Sequence, residues 1–120
     1  MLGNTLTITI ATIAYTLARV NQDNFSSVYR FSDATQTMTL QIRHTEEPIN
    51  GVKQPDPIVR HNMYFEHEVY ATPVAARKYY SIAHTLRRVK TSDPASLSSD
   101  DTGFAALETS LRSQLIAGEP

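Results

Sequence analysis

The chain of 120 residues contains no cysteine and no tryptophan. Without cysteine it has no disulfide scaffold, no thiol chemistry and no cysteine-ligated zinc. It also has no surplus of charge: 11 Lys and Arg stand against 12 Asp and Glu, a formal net charge of −1. A protein that coated nucleic acid by bulk electrostatics would be basic. Any nucleic-acid contact here therefore has to come from a local surface, or from many copies acting together. Long apolar runs are missing as well. The richest stretch, 6–20, is interrupted by Thr7, Thr9, Thr12, Thr16 and Arg19. With no basic segment before it, it reads as neither a membrane span nor a signal peptide. No P-loop, GxGxxG, HExxH or GxSxG motif occurs, so neither a cofactor nor a membrane partner is expected.

What remains is the composition of one globular domain over 1–120, with 41% hydrophobic and 19% charged residues. Thr5-Leu6-Thr7-Ile8-Thr9-Ile10 alternates strictly and carries β-branched residues, a strand pattern, and Ile13 to Val20 can return beside it as a hairpin. Asn21-Gln22-Asp23-Asn24 reads as a turn. Phe25 to Phe31 and Thr37 to Thr45 read as two more strands around Ser32-Asp33-Ala34-Thr35. In the second of these, Met38, Leu40 and Ile42 share one face, and Thr37, Thr39, Gln41 and Arg43 the other. Residues 46–58 hold three of the six prolines and Asn50-Gly51, and read as a long loop. Residues 59–71 alternate again. His61, Met63, Phe65, His67 and Val69 face one way, and Arg60, Asn62, Tyr64, Glu66 and Glu68 the other.

After Thr72-Pro73 the apolar spacing changes. Ala75, Tyr79, Ile82, Leu86 and Val89 follow steps of four and three, which predicts a helix over 73–90 with Thr72 as its cap. Its other face carries Arg77, Lys78, Arg87, Arg88 and Lys90, a solvated stripe or a contact for nucleic acid or an acidic neighbour. Residues 91–100, rich in Ser and Asp, read as a linker. A second helix is expected over 101–116, with the stripe Phe104, Leu107, Leu111 and Leu115, stopped at Ala117-Gly118. The expected fold class is thus α+β: an N-terminal β-hairpin and antiparallel sheet over 4–72, then two C-terminal helices laid on one sheet face. The opposite face is polar, and is either plain solvated surface or a binding platform.

His61 and His67 lie six residues apart on a strand, about 20 Å, too far to share a metal; they read as structural, with His44 and His84 at the surface or an edge. Glu66 and Glu68 sit about 7 Å apart, a spacing compatible with paired carboxylates, but neither nucleophile nor pocket accompanies them. No catalytic or metal site is therefore assigned. The polar set Arg30, Thr39, Gln41, Arg43, Arg60, Asn62 and Tyr64 fits nucleic acid better. Short polar side chains read base edges, Arg holds phosphates, and Tyr stacks on an unpaired base.

Several strings carry a resemblance. Arg60-His61-Asn62-Met63-Tyr64-Phe65-Glu66-His67-Glu68-Val69-Tyr70-Ala71-Thr72, the preceding Gly51-Val52 and Pro55, Met38-Thr39-Leu40-Gln41-Ile42-Arg43 and Leu17-Ala18-Arg19-Val20-Asn21, in this order and length, resemble the coat proteins of single-stranded RNA bacteriophages, the leviviruses. The resemblance implies an intertwined homodimer whose two sheets join edge to edge, with the helices of each chain reaching over its partner. It implies dimers closing into an icosahedral shell around single-stranded viral RNA, assembled in the cytoplasm of a bacterial host and found in the virion. By the same resemblance Thr39, Gln41, Asn62 and Tyr64 sit where such proteins contact an RNA stem-loop, with Arg43 and Arg60 nearby and Arg30 at the margin. Gln41 stands where a Lys is common in that family, and Tyr64 where an acidic residue can stand. Two other readings stay open from the residues alone. One is a dimeric, sheet-based RNA- or ligand-binding regulator that forms no particles; the other is a small enzyme using Glu66, Glu68 and a histidine.

Overall fold

Alternation of apolar and polar side chains decides most of this chain. The computed structural model describes residues 2–49 and 56–119; the Asn50-Gly51 turn and Pro55 lie outside the described residues. Six strands form one antiparallel sheet in the order in which they occur: β1 (Thr5–Ile10), β2 (Ile13–Gln22), β3 (Ser26–Ser32), β4 (Gln36–Glu47), β5 (Ile58–Val69) and β6 (Lys78–Val89). One helix, α1 (Pro94–Ile116), follows.

The connections are built from side chains that suit them, with one exception. Asp23 accepts hydrogen bonds from the amides of Phe25 and Ser26, both at 2.7 Å. Asp33 does the same for Thr35 and Gln36 at 2.7 and 2.9 Å. These amide donors hold both carboxyls below the usual aspartate range. The exception is the β1–β2 turn. Ile10 pairs with Ile13, so Ala11 and Thr12 make a two-residue loop, and both take positive φ (49° and 70°). Asn-Gly would adopt that conformation at less cost.

The apolar face follows the register across the sheet. Leu17 and Arg19 of β2, Tyr29 of β3, Leu40 of β4, Phe65 of β5 and Ile82 of β6 lie in line or one pair apart. A bulge at Val20 shifts the register between Arg19 and Asn21. Leu17, Tyr29 and Met38 are fully buried, packed by Leu6, Ile8, Ile10, Tyr15, Phe31, Leu40, Ile42 and Phe65. Inside this core the Tyr29 hydroxyl donates to the Gly3 carbonyl at 2.8 Å. The core is centred on β2–β4, with β1 and Phe65 of β5 packed against it. Toward the other edge the same face is open, with Met63, Tyr80 and Ile82 exposed.

Two expectations need correction. Residues 73–90 do not form a helix: 78–89 are strand β6. The segment satisfies both periods, since Tyr80, Ile82, His84 and Leu86 alternate with Tyr79, Ser81, Ala83, Thr85 and Arg87. What decides is non-local. The twelve residues of β5 would otherwise leave one edge unpaired, and β6 pairs with them from Ile58↔Val89 to Val69↔Lys78. Thr72-Pro73 opens a turn instead of a helix, closed by Thr72 N–H to Ala75 O at 2.8 Å. The basic stripe also breaks up, with Lys78 exposed on β6 and the others engaged. Arg77 meets Glu68 at 2.7 Å, Arg87 meets Glu47 at 2.6 Å and Lys90 meets Glu46 at 3.4 Å, while Arg88 donates to the carbonyls of Lys90 and Ser92.

The second helix exists but starts earlier than 101. Asp93 caps it through the Ala95 amide at 3.0 Å, and Pro94 is its first residue. The stretch expected as a linker is helical because Asp93 and Pro94 already open the helix there; its hydroxyls are taken up within it, Ser96 on Asp93 Oδ2 and Ser99 on Ala95 O. Its end matches expectation, with Gly118 at φ 76° and its amide on Leu115 O. The fold is therefore α+β with one helix rather than two, and that helix does not roof the sheet. It leans on β6, and none of its residues is buried.

Candidate nucleic-acid interface

The polar sheet face is generated by the same registers that build the apolar one. Across β3, β4, β5 and β6 its rows read Ser32, Thr37, Glu68, Tyr79; then Arg30, Thr39, Glu66, Ser81; then Val28, Gln41, Tyr64, Ala83; then Ser26, Arg43, Asn62, Thr85. Thr45, Arg60 and Arg87 continue the series across β4, β5 and β6. Neighbouring strands are about 4.8 Å apart and successive rows about 7 Å. All seven residues singled out from the sequence, Arg30, Thr39, Gln41, Arg43, Arg60, Asn62 and Tyr64, stand on this face, and Gln41 faces Tyr64 directly as Arg43 faces Asn62.

Charge is distributed unevenly along the rows. Arg30, Arg43 and Arg60 are exposed. Among the described residues they make no ion pair, in contrast to Arg77 and Arg87. Arg43 and Arg60 sit in adjacent rows at the end nearer the β4–β5 connection. Glu66 and Glu68 sit at the other end, and both are engaged. The Tyr79 hydroxyl donates to Glu66 Oε2 at 2.9 Å, which leaves Tyr64 to donate to the Tyr79 oxygen at 3.4 Å. That chain, Tyr64 first and Glu66 next, pushes the Tyr79 phenol above its ordinary range. Arg77 bonds Glu68 and lies over the Tyr79 ring, 5.3 Å from its centroid. Between the two ends, Asn62 Nδ2 donates to Thr85 Oγ1 at 2.7 Å, which fixes the amide with its oxygen free to accept. The arrangement offers unpaired guanidinium groups for phosphates, an oriented amide and hydroxyls for base edges, and two phenol rings for stacking.

Tyr79, Ser81, Thr85 and Arg87 belong to this surface and were missed from the sequence, because a helix over 73–90 scatters them around a cylinder. Period-two alternation over 78–89 was the signal that could have found them. The histidines fall elsewhere. His44, His61, His67 and His84 all lie on the apolar face, where His44 is exposed, as expected, and His84 is half-buried. Glu66 and Glu68 point the opposite way from every histidine, and an acid–base site joining them is not assembled. No cluster of three or more His, Asp or Glu suited to a metal occurs among the described residues, nor is any described helix long and apolar enough to cross a membrane.

No curated protein matches the chain in sequence. A family profile does: residues 3–91, which span all six strands, match the family described as "Phage phiCb5, coat protein". The chain belongs to that coat-protein family, which makes it a structural subunit of a phage capsid.

Proposed function

We propose that this chain is the coat protein of a single-stranded RNA phage of levivirus type, a non-catalytic subunit that dimerises, closes into an icosahedral shell and turns its polar sheet face toward the RNA. The observation that carries the reading is a pair of unfilled apolar surfaces on one chain. Along α1, Phe104, Leu107, Leu115 and Ile116 are 66, 53, 59 and 82% exposed. On the sheet, Leu6, Ile8, Leu17, Leu40, Met63, Phe65, Ile82 and His84 help to line a groove of about 420 Å³ that nothing among the described residues fills. A chain that leaves both open is built for a second copy, because exposed apolar surface of this extent marks an interface. The outer edge of β6, twelve residues long, supplies the backbone donors and acceptors for joining two sheets edge to edge. α1, which leans on β6, then reaches across that edge to the partner's groove. With one face occupied in this way, the polar face is the one left for RNA. Its few unpaired arginines per copy suffice, since counterion release adds over every copy in a shell. Assembly takes place in the bacterial cytoplasm, where the genome is made.

Negative-stain microscopy of the purified protein, with its ratio of absorbance at the nucleic-acid and protein maxima, tests this reading. Closed particles carrying nucleic acid are expected. A uniform dimer free of nucleic acid would replace it with the regulator reading, and a monomer would exclude both.

A further inference from the structure

Register sets His44 of β4 opposite His61 of β5. The His44 amide bonds the Phe25 carbonyl at 2.7 Å, so its backbone polar groups point away from β5. In an antiparallel ladder that makes His44 and His61 a non-hydrogen-bonded pair, the kind whose side chains stand closest. The rings cross at 70° with centroids 5.0 Å apart, and the two Nδ1 atoms are 2.8 Å apart. One Nδ1 must therefore carry a proton and the other a lone pair. A first added proton leaves that bond intact. A second gives two facing N–H groups and no acceptor, and the bond breaks.

The surroundings oppose added charge. On β6 the row is completed by Leu86, and Arg88 lies in the next row. Glu46 of β4 shares that next row, but Lys90 already engages it at 3.4 Å. On the β3 side the nearest carboxylate, Asp23, is spent on the amides of Phe25 and Ser26. On α1, Asp101 is held by His84 at 2.9 Å, one row away. Burial first, then His44 and Arg88, lower the pKa of His61 from 6.5. A base held below its unfolded pKa stabilises the neutral arrangement fully above pH 6.5, and that contribution is lost as pH falls through the folded value.

We propose that the His44–His61 pair is an acid-operated release: proton uptake there breaks the side-chain contact between β4 and β5, loosens the ladder at that end and places charge on the apolar face, so that a second copy of this chain seated on that face dissociates. The proposal rests on the dimer reading above. It commits the pair to a role that sequence spacing gave to neither histidine.

The test is the dimer dissociation constant of the full chain, measured by sedimentation from pH 7.5 down to 4.5, for the unmodified protein and for His44→Gln combined with His61→Gln. Linkage predicts a weakening of about ten-fold per pH unit for each proton taken up on dissociation, about 100-fold when the pair of each chain takes up one, and a nearly flat profile for the double variant. His67→Gln, which spares the pair and lies outside the groove, should keep the acid response. A flat profile in the unmodified protein, or equal weakening in the double variant, overturns the proposal. A monomer already at pH 7.5 would refute the dimer reading instead. The release is then judged by amide-exchange protection at Arg43 and Thr45, whose N–H groups face β5. Acid loss of protection in the unmodified chain alone supports it, and equal protection in both overturns it.

Discussion

Replacing Arg43 and Arg60 together by Gln is the perturbation that isolates the proposed RNA face. Both guanidinium groups are exposed, both stand on the polar face, and neither is held in an ion pair among the described residues. Removing them should therefore change folding stability by less than about 0.5 kcal/mol. Their effect on RNA should be large and salt-dependent. Each phosphate contact to a single strand contributes about 0.7 to the slope of log affinity against log salt. Losing two should flatten the slope by about 1.4, which at 0.1 M salt, relative to 1 M, is about 25-fold weaker binding. The assay is fluorescence anisotropy of a labelled single-stranded oligonucleotide with RNA-free protein, over about 50 to 300 mM salt. Arg88→Gln is the control, because Arg88 lies on the opposite face and donates to backbone carbonyls. An unchanged slope in the double variant, or an equal flattening from Arg88→Gln, would show that the polar face is not where RNA sits.

Three further outcomes follow from the fold. Ile82→Asp alters a side chain that is 64% exposed in the single chain; the monomer should fold, but burying the carboxylate under a second copy costs several kcal/mol, so chromatography should show no dimers. Replacing Ala11-Thr12 by Asn-Gly relieves two positive φ angles and should stabilise by about 1 kcal/mol, read as a rise of about 4 °C in the thermal midpoint. Asp23 and Asp33 titrate below their unfolded value of 3.8, so their contribution is present above that value and is lost as pH falls through the folded pKa values; Asp33→Asn should make the urea midpoint less sensitive to pH below 3.8.

The strands that carry the polar face could be read from the sequence because their alternation is strict. The facing sets Met38, Leu40, Ile42 and Thr37, Thr39, Gln41, Arg43 stand as expected, as do those of 59–69. Residues 78–89 could not be read in this way. Tyr79, Ile82 and Leu86 satisfy a helical step, Tyr80, Ile82 and Leu86 satisfy a strand, and only the unpaired edge of β5 chooses between them. The early start of α1 was hidden for a different reason. Asp93-Pro94 and the serines after them look like linker residues, yet Asp93 caps the Ala95 amide and Pro94 is the first helical residue. The His44–His61 contact depends on inter-strand register across the 48–57 connection, which local pattern does not specify.

Because the chain has no native cysteine, single cysteines can report which face is covered. The most direct measurement is thiol labelling of Ile82→Cys, Leu107→Cys and Thr39→Cys in the assembled protein, with and without its RNA. Ile82 and Leu107 are 64 and 53% exposed in one chain. Protection at both in the assembly, regardless of RNA, and protection at position 39 only when RNA is present, is the expected result. Free labelling at positions 82 and 107 in assembled protein, or RNA-dependent protection there instead of at 39, would contradict the assignment of the two faces.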